Sequence, residues 1–190
     1  MARARRYVGT SLGLLCVVGL AASADTRAQG SGEEPPEGLN PFVVDSLAPF
    51  LADWISAARD AAKAEGVEPI PGPIRAALTG YVPEETLERV RWRHGTTQLA
   101  MPQSVIRFGE VQAMTLDDVI VFQDRRAALE DPKLWAHELK HVMQFAEWGV
   151  AGFATRYLRD HGAIEHEATE FRWEFMKKAG LVPPVPPPSE

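Results

Sequence analysis

The segment from Asp131 to Gly149 constrains this chain more tightly than any other part of it. Asp131 and Pro132 form an N-cap and N1 pair: the aspartate can accept from the free amides of a helix start, and proline's missing N–H costs nothing there. No proline or glycine then interrupts the chain until Gly149, so the spacing predicts a helix over 132–148. At 100° per residue, Leu139, Val142, Met143 and Ala146 form one apolar stripe, and His137 and His141 fall nearly opposite it. Core packing therefore does not explain the two histidines. Gln144 and Trp148 share their side, which is neither a charged solvent face nor a purely apolar one and reads as the wall of a cleft.

Around this helix the chain divides by composition. Ser46 is read as the N-cap of a first helix with Pro49 in its first turn, one face formed by Phe50, Leu51, Trp54, Ile55 and Ala58, and an end at Gly66. The prolines and glycines between Val67 and Pro83 leave room for a short helix near Ile74–Leu78 and another from Glu84 to about Val90. From Arg91 to Phe122 the pattern is β-like, with apolar runs at Ser104–Phe108 and Val119–Phe122, and with Asp117-Asp118 as a turn after Ala113–Leu116. A small antiparallel sheet is the economical expectation. A second helical stretch covers Val150–Arg159, and a last helix starts near Ala163 and closes on Lys177, Lys178 and Gly180. The expected class is α+β.

The N-terminal end reads differently. Basic Arg3, Arg5 and Arg6, the 15-residue apolar run Val8–Ala22 and the small residues up to Ala28 have the three zones of a cleavable secretory signal. The run is broken by glycines and falls short of the roughly 20 apolar residues of a membrane span, so no permanent anchor is expected. Residues 29–40 are rich in Gly, Pro and Glu and read as a flexible linker, 41–182 as the folded domain, and 183–190 as an extended proline-rich tail. Cleavage after Ala28 removes four arginines and one aspartate and takes the formal charge from −6 to −9. An exported, periplasmic or secreted acidic domain is expected, and not a nucleic-acid binder. Arg91-Trp92-Arg93 accordingly reads as a sheet face. The sequence says nothing of the oligomeric state.

His137-Glu138-Leu139-Lys140-His141 is an HExxH sequence. Positions i and i+4 lie one helical turn apart, so two imidazoles can share one cation with Glu138 beside it. The single cysteine, Cys16, lies in the signal, so any metal must be held by histidine and carboxylate. A zinc site with one position open to water needs a third protein ligand. The last helix offers Glu165 and Glu167, which flank its apolar stripe of Ile164, Ala168, Phe171 and Phe175 about equally, so periodicity leaves both open. His166 reads as solvated, and His94 shows no partner in the pattern.

Glu165-His166-Glu167-Ala168 resembles the Glu-x-x-Ala signature of gluzincin-type peptidases, in which the first glutamate binds zinc; the resemblance points to Glu165. The segments MTLDDVIVF, LWAHELKHVMQFAEWGVAGFATRYLRD and IEHEA together resemble an uncharacterised bacterial domain family, also called the extracellular contractile injection system core domain, over roughly Pro73–Phe171. That resemblance implies a zincin-like fold, a small sheet packed with the HExxH helix and a C-terminal ligand helix, holding Zn2+ through His137, His141 and Glu165. It also implies peptide-bond hydrolysis by a zinc-activated water with Glu138 as general base. A strand near Val119–Phe122 would align a peptide or protein substrate through its edge. His161 and Tyr157 are the nearest groups for stabilising an oxyanion, although a surface histidine and a buried tyrosine are the default readings. The alternative is a non-catalytic zincin-shaped binding or companion module for a secreted effector or partner protein.

Overall fold

The first helix, α1 (Pro41–Ala64), is set by Asn40, whose side chain accepts from the Phe42 amide at 2.9 Å. This computed structural model describes residues 40–95 and 112–182. The signal at 1–28, the linker up to residue 39, the Ser104–Phe108 run and the tail at 183–190 lie outside the described residues. Asn40, read as linker, is thus a helix cap, and Ser46 is not one: its hydroxyl donates to the Phe42 carbonyl one turn back. The buried face of α1 is Val44, Ala48, Leu51, Ile55, Ala58 and Ala62, and Phe50, expected on that face, is 73% exposed. Leu51, Ile55 and Ala58 lie on the buried face as expected, and the small residues Ala48 and Ala62 extend it, while Phe50 falls off it.

The chain then forms β1 (Glu68–Pro69), α2 (Gly72–Leu78), α3 (Glu84–Arg89), β2 (Arg91–His94), β3 (Ala113–Leu116) and β4 (Val119–Phe122). Strand order is β1-β2-β4-β3. β3 and β4 make the expected antiparallel hairpin, closing at Leu116 opposite Val119, with Asp117 at φ 59° in the loop. β1 and β2 are also antiparallel, but β2 and β4 run parallel, with Trp92 beside Ile120 and His94 beside Phe122. The sheet is therefore mixed rather than antiparallel. β3 occupies one edge of β4, and β2 pairs with the other edge in the same sense.

Every residue of β4 is buried because the strand is covered on both faces. Ile120 and Phe122 face a core with Trp92, Trp135, Leu139, Val142 and Phe175, while Val119 and Val121 face α1 together with Phe145, Phe153, Leu158 and Ile164. This is the two-residue alternation of a strand, read between two cores.

Two helices follow that position the site. The short α4 (Arg125–Glu130), absent from the sequence reading, is capped by Asp124, and Asp131 then ends it and caps α5 (Pro132–Arg159) through the Lys133 and Leu134 amides at 3.0 and 3.2 Å. Gly149, at φ 67° and ψ 167°, is non-helical and breaks α5 where the sequence places a stop, so α5 consists of two helical stretches that meet at a kink, as expected. α6 (His161–Lys178) starts slightly before Ala163, because Asp160 accepts from the Ala163 amide, and Gly180 ends it at φ 67°. Ile164, Ala168 and Phe175 of its expected stripe are buried, and Phe171 meets Tyr81 at a tilt with ring centroids 4.7 Å apart.

Candidate metal centre

α5 is covered on more sides than its periodicity shows. It packs against α1, α6 and β3 at once, so Leu139, Val142 and Phe145 are buried while Ala146 is exposed and Met143 only half-buried. The side carrying the histidines is not solvent-facing either: it lies under α6, and Glu138, His141 and Gln144 are all buried.

There the sequence-predicted residues meet. His137 Nε2 and His141 Nε2 stand 3.3 Å apart, one Glu165 oxygen lies 3.3 Å from His137 Nε2, and the other lies 3.6 Å from His141 Nε2. A tetrahedral site with nitrogen and oxygen ligands at roughly 2.0–2.2 Å has edges of about 3.3–3.5 Å; the separation of the two imidazole nitrogens fits such an edge, Glu165 meets each ring through a different oxygen, and one ligand atom from each of the three residues lies within 4.8 Å of the other two. The donor set fits the chemistry as well, since two imidazole nitrogens facing one another across a carboxylate are held together either by a shared proton or by a cation. Among the described residues this is the cluster of three that could hold a metal ion. Its more exposed member is Glu165, whose side chain is 41% exposed against 8% for His141.

Charge explains the state of the cluster without metal. Burial by itself raises the Glu165 carboxyl, but hydrogen bonds to His137 and His141 and their charges outweigh it and hold the group well below the usual carboxylate range. Burial pulls the His141 ring down, yet the bond to Glu165 and the charges of Glu138 and Glu165 leave its proton affinity above the ordinary histidine value.

Periodicity left Glu165 and Glu167 equivalent, and the fold separates them. Glu167 Oε2 accepts from Gln144 Nε2 at 3.1 Å and pairs with Lys140 Nζ at 3.2 Å, away from the histidine triangle. These two contacts have a signal in sequence only in hindsight: Lys140 and Gln144 are four apart on α5. Glu138 is anchored from the sheet, where the Thr115 hydroxyl lies 2.7 Å from Oε2 and 3.2 Å from the Glu138 backbone carbonyl. Thr115 carried no sequence signal, since nothing local to β3 relates it to α5.

The other residues singled out fall away from the triangle. Tyr157 stacks against Phe153 with centroids 5.7 Å apart and meets His161 at a tilt with centroids 6.1 Å apart, and its hydroxyl is pushed up first by burial and then by the charges of Glu165 and Glu138. His161 is exposed. His166 pairs at the surface with Glu170, and His94 approaches Arg125. Trp92 is buried and donates to the Pro69 carbonyl, as expected of a sheet face. β4 offers no free edge for an extended ligand, because β2 and β3 flank it; among the described residues the edge nearest Glu138 belongs to β3.

These elements define an α+β domain with a mixed four-stranded sheet, in which an HExxH helix and the helix after it bring two imidazoles and one carboxylate together. Residues 69–149 match the family model described as the eCIS core domain, so this segment is similar to the family to which the sequence resemblance pointed. The match takes in His137, Glu138 and His141 and ends before Glu165, so the third member of the cluster rests on geometry. No curated protein and no solved structure matches the chain. Among the described residues, no helix is long and apolar enough to cross a membrane.

Proposed function

We propose that this chain is an exported, zincin-like, zinc-dependent peptidase domain in which His137, His141 and Glu165 hold the metal and Glu138 is the general base. The observation that carries the proposal is the triangle of His137 Nε2, His141 Nε2 and a Glu165 oxygen, with all three ligand atoms within 4.8 Å of one another. Zinc bound there would supply Lewis acidity, which can lower the pKa of a water from about 16 to about 7.

The chain's own residues then define the proton path. Thr115 engages Glu138 Oε2, which turns Oε1 into the oxygen available to take a proton from water and to hand it to the leaving amine. Thr115 also fixes the carboxylate rotamer, so orientation is built in before substrate arrives. The β3 edge beside Glu138 supplies main-chain groups able to align an extended polypeptide.

Glu138→Gln tests this reading. The amide can keep the contact with Thr115, so zinc binding should persist while cleavage of an unstructured protein such as casein falls by about 10²- to 10⁴-fold. Unchanged cleavage refutes the mechanism. Zinc retention with no cleavage by the unaltered chain favours a companion module that holds metal without hydrolysis.

A further inference from the structure

We infer that Gln144 is a positioning residue that fixes the tautomer of His141 and, through the same amide group, keeps Glu167 out of the metal site. The inference rests on the metal reading of the His137–His141–Glu165 cluster. Gln144 lies three residues after His141 on α5 and is 1% exposed, so its amide must find partners inside the protein. It has three. Its Nε2 lies 3.1 Å from Glu167 Oε2 and 3.4 Å from the Ile164 carbonyl oxygen, and its Oε1 lies 2.8 Å from His141 Nδ1.

The orientation of the amide follows from the chemistry of those partners. A carbonyl oxygen and a carboxylate can only accept, so the end of Gln144 facing them must be the NH2 group. The flipped amide would set an oxygen against two acceptors, in a place closed to water. Oε1 therefore faces the imidazole, and because an amide oxygen carries no proton, His141 Nδ1 must donate. A neutral ring with its proton on Nδ1 has its lone pair on Nε2, the atom that faces His137 Nε2 and Glu165. The ligand atom of His141 is thus chosen before metal arrives, which is the service an outer partner performs for a metal-binding histidine.

The second half of the inference comes from the other end of the same group. By donating to Glu167 Oε2, which Lys140 also neutralises, Gln144 fastens that carboxylate two residues from Glu165 and ties α5 to α6. One buried side chain thereby orients one ligand and restrains the competing acid.

The test uses the whole chain and two readouts. The first is nitrogen-15 NMR of the His141 ring in metal-free protein at a pH where the ring is neutral; the expected result is a proton on Nδ1. The second is Zn2+ affinity measured against a competing chelator. Gln144→Leu should scramble the tautomer and weaken zinc by about 10- to 100-fold. Gln144→Glu keeps an acceptor opposite Nδ1, so it should keep the tautomer even though it can no longer donate to Ile164 and Glu167. A proton on Nε2 in the unaltered chain overturns the inference without any variant, so it stays decidable if Gln144→Leu does not fold. An unchanged tautomer and an affinity within about twofold in Gln144→Leu overturn it too, being far below the effect expected of an outer partner. The expected tautomer in a chain that takes up no zinc supports the assignment of Gln144 and sinks the metal reading alone.

Discussion

Replacing Glu165 and Glu167 one at a time by glutamine separates a metal ligand from its neighbour two residues away. Neither change should disturb the metal-free fold much: both carboxylates are more than 40% exposed, and ion pairs of that kind are worth about 0–1 kcal/mol. Zinc makes the difference visible. At a free zinc concentration one hundred times Kd, binding stabilises the native state by about 2.7 kcal/mol. Loss of an outer partner alone costs about 10- to 100-fold in affinity, so loss of the direct ligand Glu165 is expected to cost about 100-fold or more. At the same zinc concentration, Glu165→Gln then retains only about 0.4 kcal/mol of that stabilisation. The missing 2.3 kcal/mol or so corresponds to a Tm shift smaller by roughly 5–9 °C in a chain of this size. Differential scanning fluorimetry with and without Zn2+ measures it directly, and Glu167→Gln should shift nearly as far as the unaltered chain. An equal zinc shift in Glu165→Gln, or its loss in Glu167→Gln, refutes the reasoning.

Further outcomes follow from the same contacts. In the metal-free chain, the lowered Glu165 carboxyl contributes stability that is present above the unfolded value of about 4.3 and lost as pH falls through the folded one, while the raised His141 contributes below about 6.5 and loses it as pH rises. Chemical denaturation across pH should therefore show this cluster's contribution at its highest between about 4.3 and 6.5, and Glu165→Gln should flatten that maximum. Thr115→Val leaves the buried Glu138 carboxylate without its hydroxyl donor and should cost about 1–3 kcal/mol in urea denaturation, with Thr115→Ser restoring most of it. Gly149→Ala imposes a side chain at φ 67° and ψ 167°, a backbone state reserved for glycine, and should cost about 1–3 kcal/mol even though open space surrounds the site.

The parts of this architecture that were legible in sequence are those written locally. The Asp131-Pro132 start, the break at Gly149, the hairpin around Asp117-Asp118 and the one-turn spacing of His137 and His141 each depend on residues within a few positions of one another, and the structure reproduces each. What escaped depends on contacts between distant segments. The parallel pairing of β2 with β4 joins residues nearly thirty apart, and the two-residue β1 has no periodicity to read. The side of α5 bearing the histidines reads as a cleft wall, but that α6 forms the covering side and buries His141 and Gln144 depends on a contact between separate helices. Within the site, Glu165 and Glu167 are symmetric on their own helix, and only Gln144 and Lys140 on the facing helix break the tie. Thr115 was invisible for the same reason, its partner lying 23 residues further along the chain.

Metal analysis of the purified chain bears most directly on the His137–His141–Glu165 centre. One zinc ion per chain, retained through gel filtration and lost when both His137 and His141 are replaced by alanine, is the expected result. A chain that takes up no zinc from excess Zn2+, or a double variant that binds as much as the unaltered protein, would contradict it.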